Sequence, residues 1–139
     1  MTAQLAPPVG GCGFADALVA FLETGRAASG LFAPGVFVDF TMPTWRLQTQ
    51  GVADAVALRR AGHPQPGRVV RSRFDPTPTG FVLEVEEVWA DVGEQWYCRE
   101  LFRADVGPEG ITELAVYCTG DWDGARRAQH AREVALIRA

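Results

Sequence analysis

Between Phe81 and Ala104 the chain alternates apolar and polar positions twice in succession, the period of two that marks a half-buried strand. In the first run Phe81, Leu83, Val85, Glu87 and Trp89 share a side, and in the second Trp96, Cys98, Glu100, Phe102 and Ala104 do. Each apolar side therefore carries one glutamate. A two-residue loop Gly93-Glu94, glycine first as a type II′ turn requires, pairs Val92 with Gln95. This register sets Glu87 opposite Glu100, Trp89 opposite Cys98, Val85 opposite Phe102 and, on the other face, Glu84 opposite Arg103. Directly opposed Cβ atoms lie ~4.5–5.5 Å apart, where like charges destabilise a sheet. One of the two acids is therefore expected to hold a proton, which gives a general acid beside a general base near neutral pH. The competing reading is a β-bulge at Glu86-Glu87, or a solvated rim, that turns Glu87 outward and leaves no pair.

The remaining pattern predicts an α+β fold in one domain over residues 12–139, preceded by a flexible tail, residues 1–11, rich in small residues. A first helix is expected from Gly13 to Ala28, with Phe14, Leu18, Phe21 and Leu22 as its apolar stripe and Gly25 weakening its last turn. Strands follow over Val36–Met42 and Trp45–Gln50 around a Pro43-Thr44 turn, then a short helix over Val52–Ala61. The loop GHPQPG at 62–67 cannot continue that helix. Further strands are predicted at Arg68–Phe74 and Ile111–Thr119, joined to the hairpin by turns at DPTPTG and GPEG. Asp123 is the expected N-cap of a last helix, on which Ala125, Ala128, Ala131 and Ala135 form a small-residue face able to lie close against the sheet. Separate helices beside a run of hairpin-connected strands define a strongly curved antiparallel sheet.

Composition narrows the function. With 13 basic and 17 acidic residues the net charge is −4, and no basic stripe suggests nucleic acid as a partner. Cys12, Cys98 and Cys118 show no close spacing, so packed free thiols and no metal site are expected. No glycine-rich phosphate loop follows a strand, so no nucleotide cofactor is expected. The opening MTAQLAPPVGG has neither a basic nor an apolar signal region, and no run approaches the ~20 apolar residues of a membrane span. A soluble cytoplasmic protein without a membrane partner is the expectation.

The element order, the dipeptide Met42-Pro43 before Trp45, the segment GVADAV at 51–56 and the ending ITELAVYCTGDWD at 111–123 together resemble the nuclear transport factor 2 superfamily, in particular its SnoaL-like branch. The resemblance implies a cone-shaped mixed sheet wrapped around the first helix, with an apolar cavity open at one end. Its members include cyclases, isomerases, epoxide hydrolases, dehydratases and non-catalytic binding or dimerisation modules, so the fold does not choose the activity. The charged positions of the epoxide-hydrolase branch correspond here to Leu83, Val85 and Val116, and that apparatus is absent. Asp39 and Thr41 stand where that branch has a Tyr and an Asn, which marks a polar cluster at that end of the cavity. Asp121 matches by placement the acid of the cyclases, although an Asp after Gly120 equally suits a turn.

Glu87, Glu100, Asp39 and Asp121 are thus the candidate acid/base residues. Trp45, Trp89, Trp96 and Trp122, with Phe40, Met42, Phe102, Leu114 and Val116, offer flat apolar surfaces for a small, apolar, cyclic ligand, or else simply fill the core. Leu83, Val85, Cys98 and Cys118 fall on the same inward faces, and His63 lies in the loop expected at the cavity mouth. Two functions remain open. One is cofactor-free isomerisation, cyclisation or dehydration of an apolar cyclic or polyketide-like metabolite, and the other is a non-catalytic ligand-binding or dimerisation module. The outward face bearing Tyr97, Leu101 and Tyr117 is the expected homodimer contact.

Overall fold

The computed structural model describes residues 10–139. Of the tail expected over residues 1–11, residues 1–9 lie outside the described part, and residues 10 and 11 already belong to a helix. Helix α1 spans Gly10–Thr24 and buries Phe14, Leu18, Phe21 and Leu22, the stripe that helical spacing defines. It ends four residues before the expected Ala28. Gly25 does more than weaken the last turn: at φ 72° its N–H bonds the Phe21 carbonyl at 2.8 Å, the left-handed glycine stop of a helix.

Strands β1 (Phe32–Met42) and β2 (Trp45–Gln50) form a hairpin that leads into helix α2 (Val52–Gly62). Four long strands follow: β3 (Gly67–Thr77), β4 (Gly80–Asp91), β5 (Glu94–Gly107) and β6 (Gly110–Cys118). Among the described residues the six strands make one open sheet in the order β2-β1-β6-β5-β4-β3, in which the β1/β6 pair is parallel and the others antiparallel. This is the α+β class that the pattern predicted, with the mixed sheet that the family resemblance implied in place of the purely antiparallel one read from the pattern. Helix α1 packs across β3 and β4, while α2 packs on β1 and β2. The core between helices and sheet is built from α1's stripe with Leu31, Val36, Phe81, Leu83, Val85 and Phe102.

The β4–β5 hairpin differs from expectation in its turn. Val92 at φ 50° and Gly93 at φ 74° are the loop residues, so Asp91 pairs with Glu94 across a turn with two left-handed positions, as type I′ demands. The register is displaced by two residues. Glu87 faces Cys98, Glu100 faces Val85, Trp89 faces Trp96, and Glu84 faces Leu101. A displacement of two keeps every side chain on its face, where a displacement of one would have reversed them all. Glu87 and Glu100 thus both point inward, as diagonal neighbours instead of opposed ones. The strand irregularity in this region lies on β3 between Val69 and Arg71, leaving Val70 half exposed, and β4 itself is regular through Glu87.

Helix α3 (Gly124–Glu133) starts at Asp123, whose Oδ1 accepts from the Arg126 N–H at 2.8 Å, as its capping role requires. Its alanine face is not buried: Ala125, Ala128 and Ala131 are exposed, and no residue of α3 is buried. The helix is held by the Gly124 N–H donating to Glu94 Oε1 at 2.6 Å and by aromatic contacts. Trp122 stacks at 5.4 Å on both Tyr97 and His130, and the Arg127 guanidinium lies 4.7 Å over the Tyr97 ring.

Candidate functional site

Glu87 is 1% exposed and Glu100 2%, so two carboxyls sit inside the protein on adjacent strands. The cation that makes this tolerable comes from α2. Arg59 lies one turn beyond Ala55 on the buried side of that helix and reaches the sheet. Its Nη1 donates to Glu87 Oε2 at 3.2 Å, and its Nη2 donates to Glu87 Oε1 and, at 2.8 Å, to the Leu22 carbonyl at the end of α1. One guanidinium therefore ties α1, α2 and β4 together through a bidentate fork. Sequence reasoning passed over Arg59. The available signal was its place on the apolar side that Val52, Ala55 and Val56 define.

Glu100 is treated differently by its surroundings. Arg59 Nη1 stands 3.7 Å from its Oε1, too far for a hydrogen bond, and among the described residues neither carboxyl oxygen of Glu100 has a hydrogen-bond partner. Burial pushes Glu100 well above the ordinary carboxylate range, and the neighbouring Glu87 carboxylate pushes it further. Burial acts on Glu87 too, but the neighbouring Glu100 carboxyl and then the charge and fork of Arg59 outweigh it and hold Glu87 below its usual value. The two carboxyls therefore differ in ionisation: Arg59 holds Glu87 as the carboxylate, and Glu100 is driven towards its protonated form.

His63 closes this cluster. It is buried at the end of α2, with its ring 4.5 Å from that of Trp89 at an interplanar angle of 70°. Burial, and then the charge of Arg59, drive its pKa down to about 4, so it is neutral at pH 7. Because the folded value lies below the free value of 6.5, the unfolded chain binds the extra proton between those limits. Stability is therefore lost as pH falls from 6.5 to about 4, by roughly 3 kcal/mol. His63→Gln is expected to flatten that part of a pH–stability profile measured by urea denaturation.

The other predicted residues divide sharply. The inner cavity is bounded by Phe40, Phe102, Leu114 and Val116, with residues of α1 and α2 and with Arg59 and Glu100 as its polar wall. Leu83, Val85, Trp89 and Cys98 are buried in the neighbouring core, and Trp96 and Met42 are half-buried. Asp39 is a correction. The period of two that turns Phe40 inward turns Asp39 to the outer face, where Arg46 grips it through Nε at 2.8 Å and Nη2 at 2.5 Å. Trp45 is another, being 65% exposed at the β1–β2 turn. Trp122 packs on Tyr97 and His130 beneath α3 and away from that cavity.

The inner cavity measures about 30 Å³, room for a single water. A larger space lies immediately outside. An open groove of about 600 Å³ runs along the ends of α1 and α2 and the loop after α2, lined by Thr24, Gly25, Arg26, Arg60, His63 and the Pro64-Gln65-Pro66 segment. His63 belongs to both worlds. It borders the groove, and one of its ring nitrogens lies within 4.8 Å of a Glu100 carboxyl oxygen and of Cys98 Sγ. Asp121, exposed at the end of β6, lies equally close to Cys98 and Cys118. Burial raises the Asp121 pKa, and the charge of Glu87 adds to it.

Comparison with solved structures defines the class: the protein has the nuclear transport factor 2-like fold. An NTF2-like protein from Anabaena variabilis ATCC 29413 superposes with a TM-score of 0.65 over 78% of this chain and 85% of its own, at 16% identity. A proposed polyketide cyclase from Pseudomonas putida KT2440 does so with a TM-score of 0.62 over 87% and 97%, at 13% identity. Another from Xanthomonas campestris pv. campestris gives 0.60 over 77% and 88%, at 17% identity. Identities this low establish the fold and leave the chemistry to the residues. No protein-family model and no curated protein matches the sequence. Among the described residues no helix is long and apolar enough to cross a membrane.

Proposed function

We propose that this protein binds a small cyclic or polyketide-like metabolite over His63 and carries out cofactor-free acid/base chemistry on it, of the isomerase, cyclase or dehydratase kind. The observation that carries this reading is the buried, unpartnered carboxyl of Glu100 directly behind the histidine that borders the groove. A groove of about 600 Å³ is the right size for a metabolite, whereas 30 Å³ is not. Neutral His63 is free to accept a proton from the ligand or donate one, and Glu100 behind it holds the proton in reserve. Glu87 and Arg59 fix the ionisation of the pair and touch no ligand. The polyketide-like substrate class is supported by the fold's neighbours, two of which are proposed cyclases.

Deuterium incorporation from D2O into the α-position of cyclohexenone, followed by proton NMR, tests the acid/base reading. Exchange is expected to be faster than with heat-unfolded protein, and slowed in Glu100→Gln and in His63→Gln. Equal rates in the native protein and both variants would reject it. The almost solid interior favours one second reading, in which Arg59, Glu87 and Glu100 merely brace a non-catalytic module. In that case both variants bind cyclohexenone as the native protein does, and neither alters exchange.

The outer sheet face supports a homodimer. Leu101 and Tyr117 are 40% and 55% exposed beside Arg99 and Arg103, and aromatic and arginine side chains are favoured at interfaces. Light scattering at micromolar concentration is expected to give twice the chain mass, and Leu101→Glu is expected to halve it.

A further inference from the structure

The inner face of the sheet carries a second polar patch beside the acid pair. Cys98 of β5, Cys118 at the end of β6 and Asp121 just beyond it place two sulfurs and a carboxylate oxygen within 4.8 Å of one another. Three properties of this group go beyond chance proximity. First, the donors are matched in chemistry, two soft thiols and one carboxylate, the mixture that suits zinc better than magnesium or calcium. Second, their spacing is close to that of bound ligands. Zinc–sulfur bonds of ~2.3 Å hold two thiolates ~3.8 Å apart in a tetrahedron, and the three donor atoms here all lie within 4.8 Å of one another.

Third, the setting is graded from interior to solvent. Cys98 is fully buried, Cys118 is half-buried and Asp121 is exposed, so an ion has an entry path on the Asp121 side. The backbone N–H of Gly120 donates to Cys118 Sγ at 3.4 Å, the kind of outer hydrogen bond that orients a metal thiolate. Gly120 stands at φ 83°, a left-handed bend that folds the chain back and brings Asp121 alongside the two strands. Linear spacing concealed this set, because its members are separated by 20 and 3 residues and meet only through the β5–β6 pairing and that bend.

We propose that Cys98, Cys118 and Asp121 form a zinc site with three protein ligands and a fourth position open towards solvent. His63, Cys98 and Glu100 make an adjoining group of donors that shares Cys98. The outer group is assigned because both thiols belong to it and because it is the one reached from water. The site stands beside Glu87 and Glu100 and uses neither as a ligand.

The test uses the full chain with Cys12→Ser, to remove the third thiol, kept reduced and titrated with Co²⁺ as a spectroscopic substitute for Zn²⁺. One ion per chain is expected, with thiolate-to-cobalt charge-transfer absorption in the near ultraviolet, and with Zn²⁺ displacing the Co²⁺. Cys118→Ser is expected to weaken binding on the order of a hundredfold and to reduce that absorption. Asp121→Asn is expected to weaken binding while keeping the absorption. Circular dichroism checks that each variant folds, and half-buried Cys118 remains the deciding position where the buried Cys98→Ser does not fold. Absence of charge-transfer absorption at one equivalent overturns the proposal. So does binding that survives Cys118→Ser, or binding that is lost in His63→Gln and Glu100→Gln but retained in Asp121→Asn, which would move the ion inward.

Discussion

Arg59→Met is expected to lower the stability of the folded protein by about 3–5 kcal/mol, the usual cost of removing one member of a buried ion pair. The loss is large because of what stays behind. Glu87, at 1% exposure, keeps a carboxylate with no cation, and the Leu22 carbonyl loses its donor. Removing both charges at once is far less harmful, since a buried pair roughly offsets its own desolvation. Arg59→Met combined with Glu87→Gln is therefore expected to recover most of the loss. Arg59→Lys keeps the charge but not the fork that holds two oxygens and a carbonyl, and falls between. The pH dependence should also change sign. In the native protein Glu87 is held below its ordinary value, so its contribution is present above pH 4.5 and lost as pH falls through the lower folded value. Without Arg59 burial raises Glu87, and the single variant becomes relatively more stable in acid. Urea denaturation of the three variants at pH 5 and pH 7 measures all of this. A loss under about 1 kcal/mol for Arg59→Met would show that Glu87 does not depend on its guanidinium.

Arg59 also shows where the sequence stops being legible. Periodicity is a local property, and the features it controls came through: the stripe of α1, the inward faces of β4 and β5, and the capping role of Asp123. Asp39 could have been excluded by the same rule, because a strand that turns Phe40 inward cannot also present its neighbour there. The hairpin register was less accessible. A type II′ turn requires glycine first, which pointed to Gly93, yet Val92, a β-branched residue seldom found at φ > 0, takes that position at φ 50°. The partners of the acid pair were hidden altogether. Arg59 is 28 residues from Glu87, and only the packing of α2 against the sheet brings it there. Cavity size is equally non-local. It depends on how side chains of α1, α2, β1, β5 and β6 fill one space, and here they leave about 30 Å³.

Glu100→Gln is expected to stabilise the protein above pH 6.5 by about 1 kcal/mol or more, moving the melting temperature up by roughly 3 °C. A buried acid whose nearest cation, Arg59, is already engaged by Glu87 is a burden once it must ionise, whereas the amide is neutral at every pH. The sign follows from linkage. Glu100's folded pKa lies above its unfolded value of 4.5, so between the two the native state holds a proton that the unfolded chain has lost. Stability therefore falls as pH rises through that window and levels off above the folded value. Below pH 6.5 His63 acts in the opposite direction, which makes pH 6.5 and above the range in which Glu100 is seen most clearly. Thermal melts of native protein and Glu100→Gln from pH 6.5 upward should diverge, the native curve falling and the variant staying flatter. If instead the two curves run parallel, Glu100 is already ionised at pH 6.5, and the proton reserve behind His63 does not exist. The same substitution that steadies the fold is the one expected to slow proton exchange. A gain in stability joined to a loss of activity distinguishes a working acid from a structural brace, because a brace would show the first effect without the second.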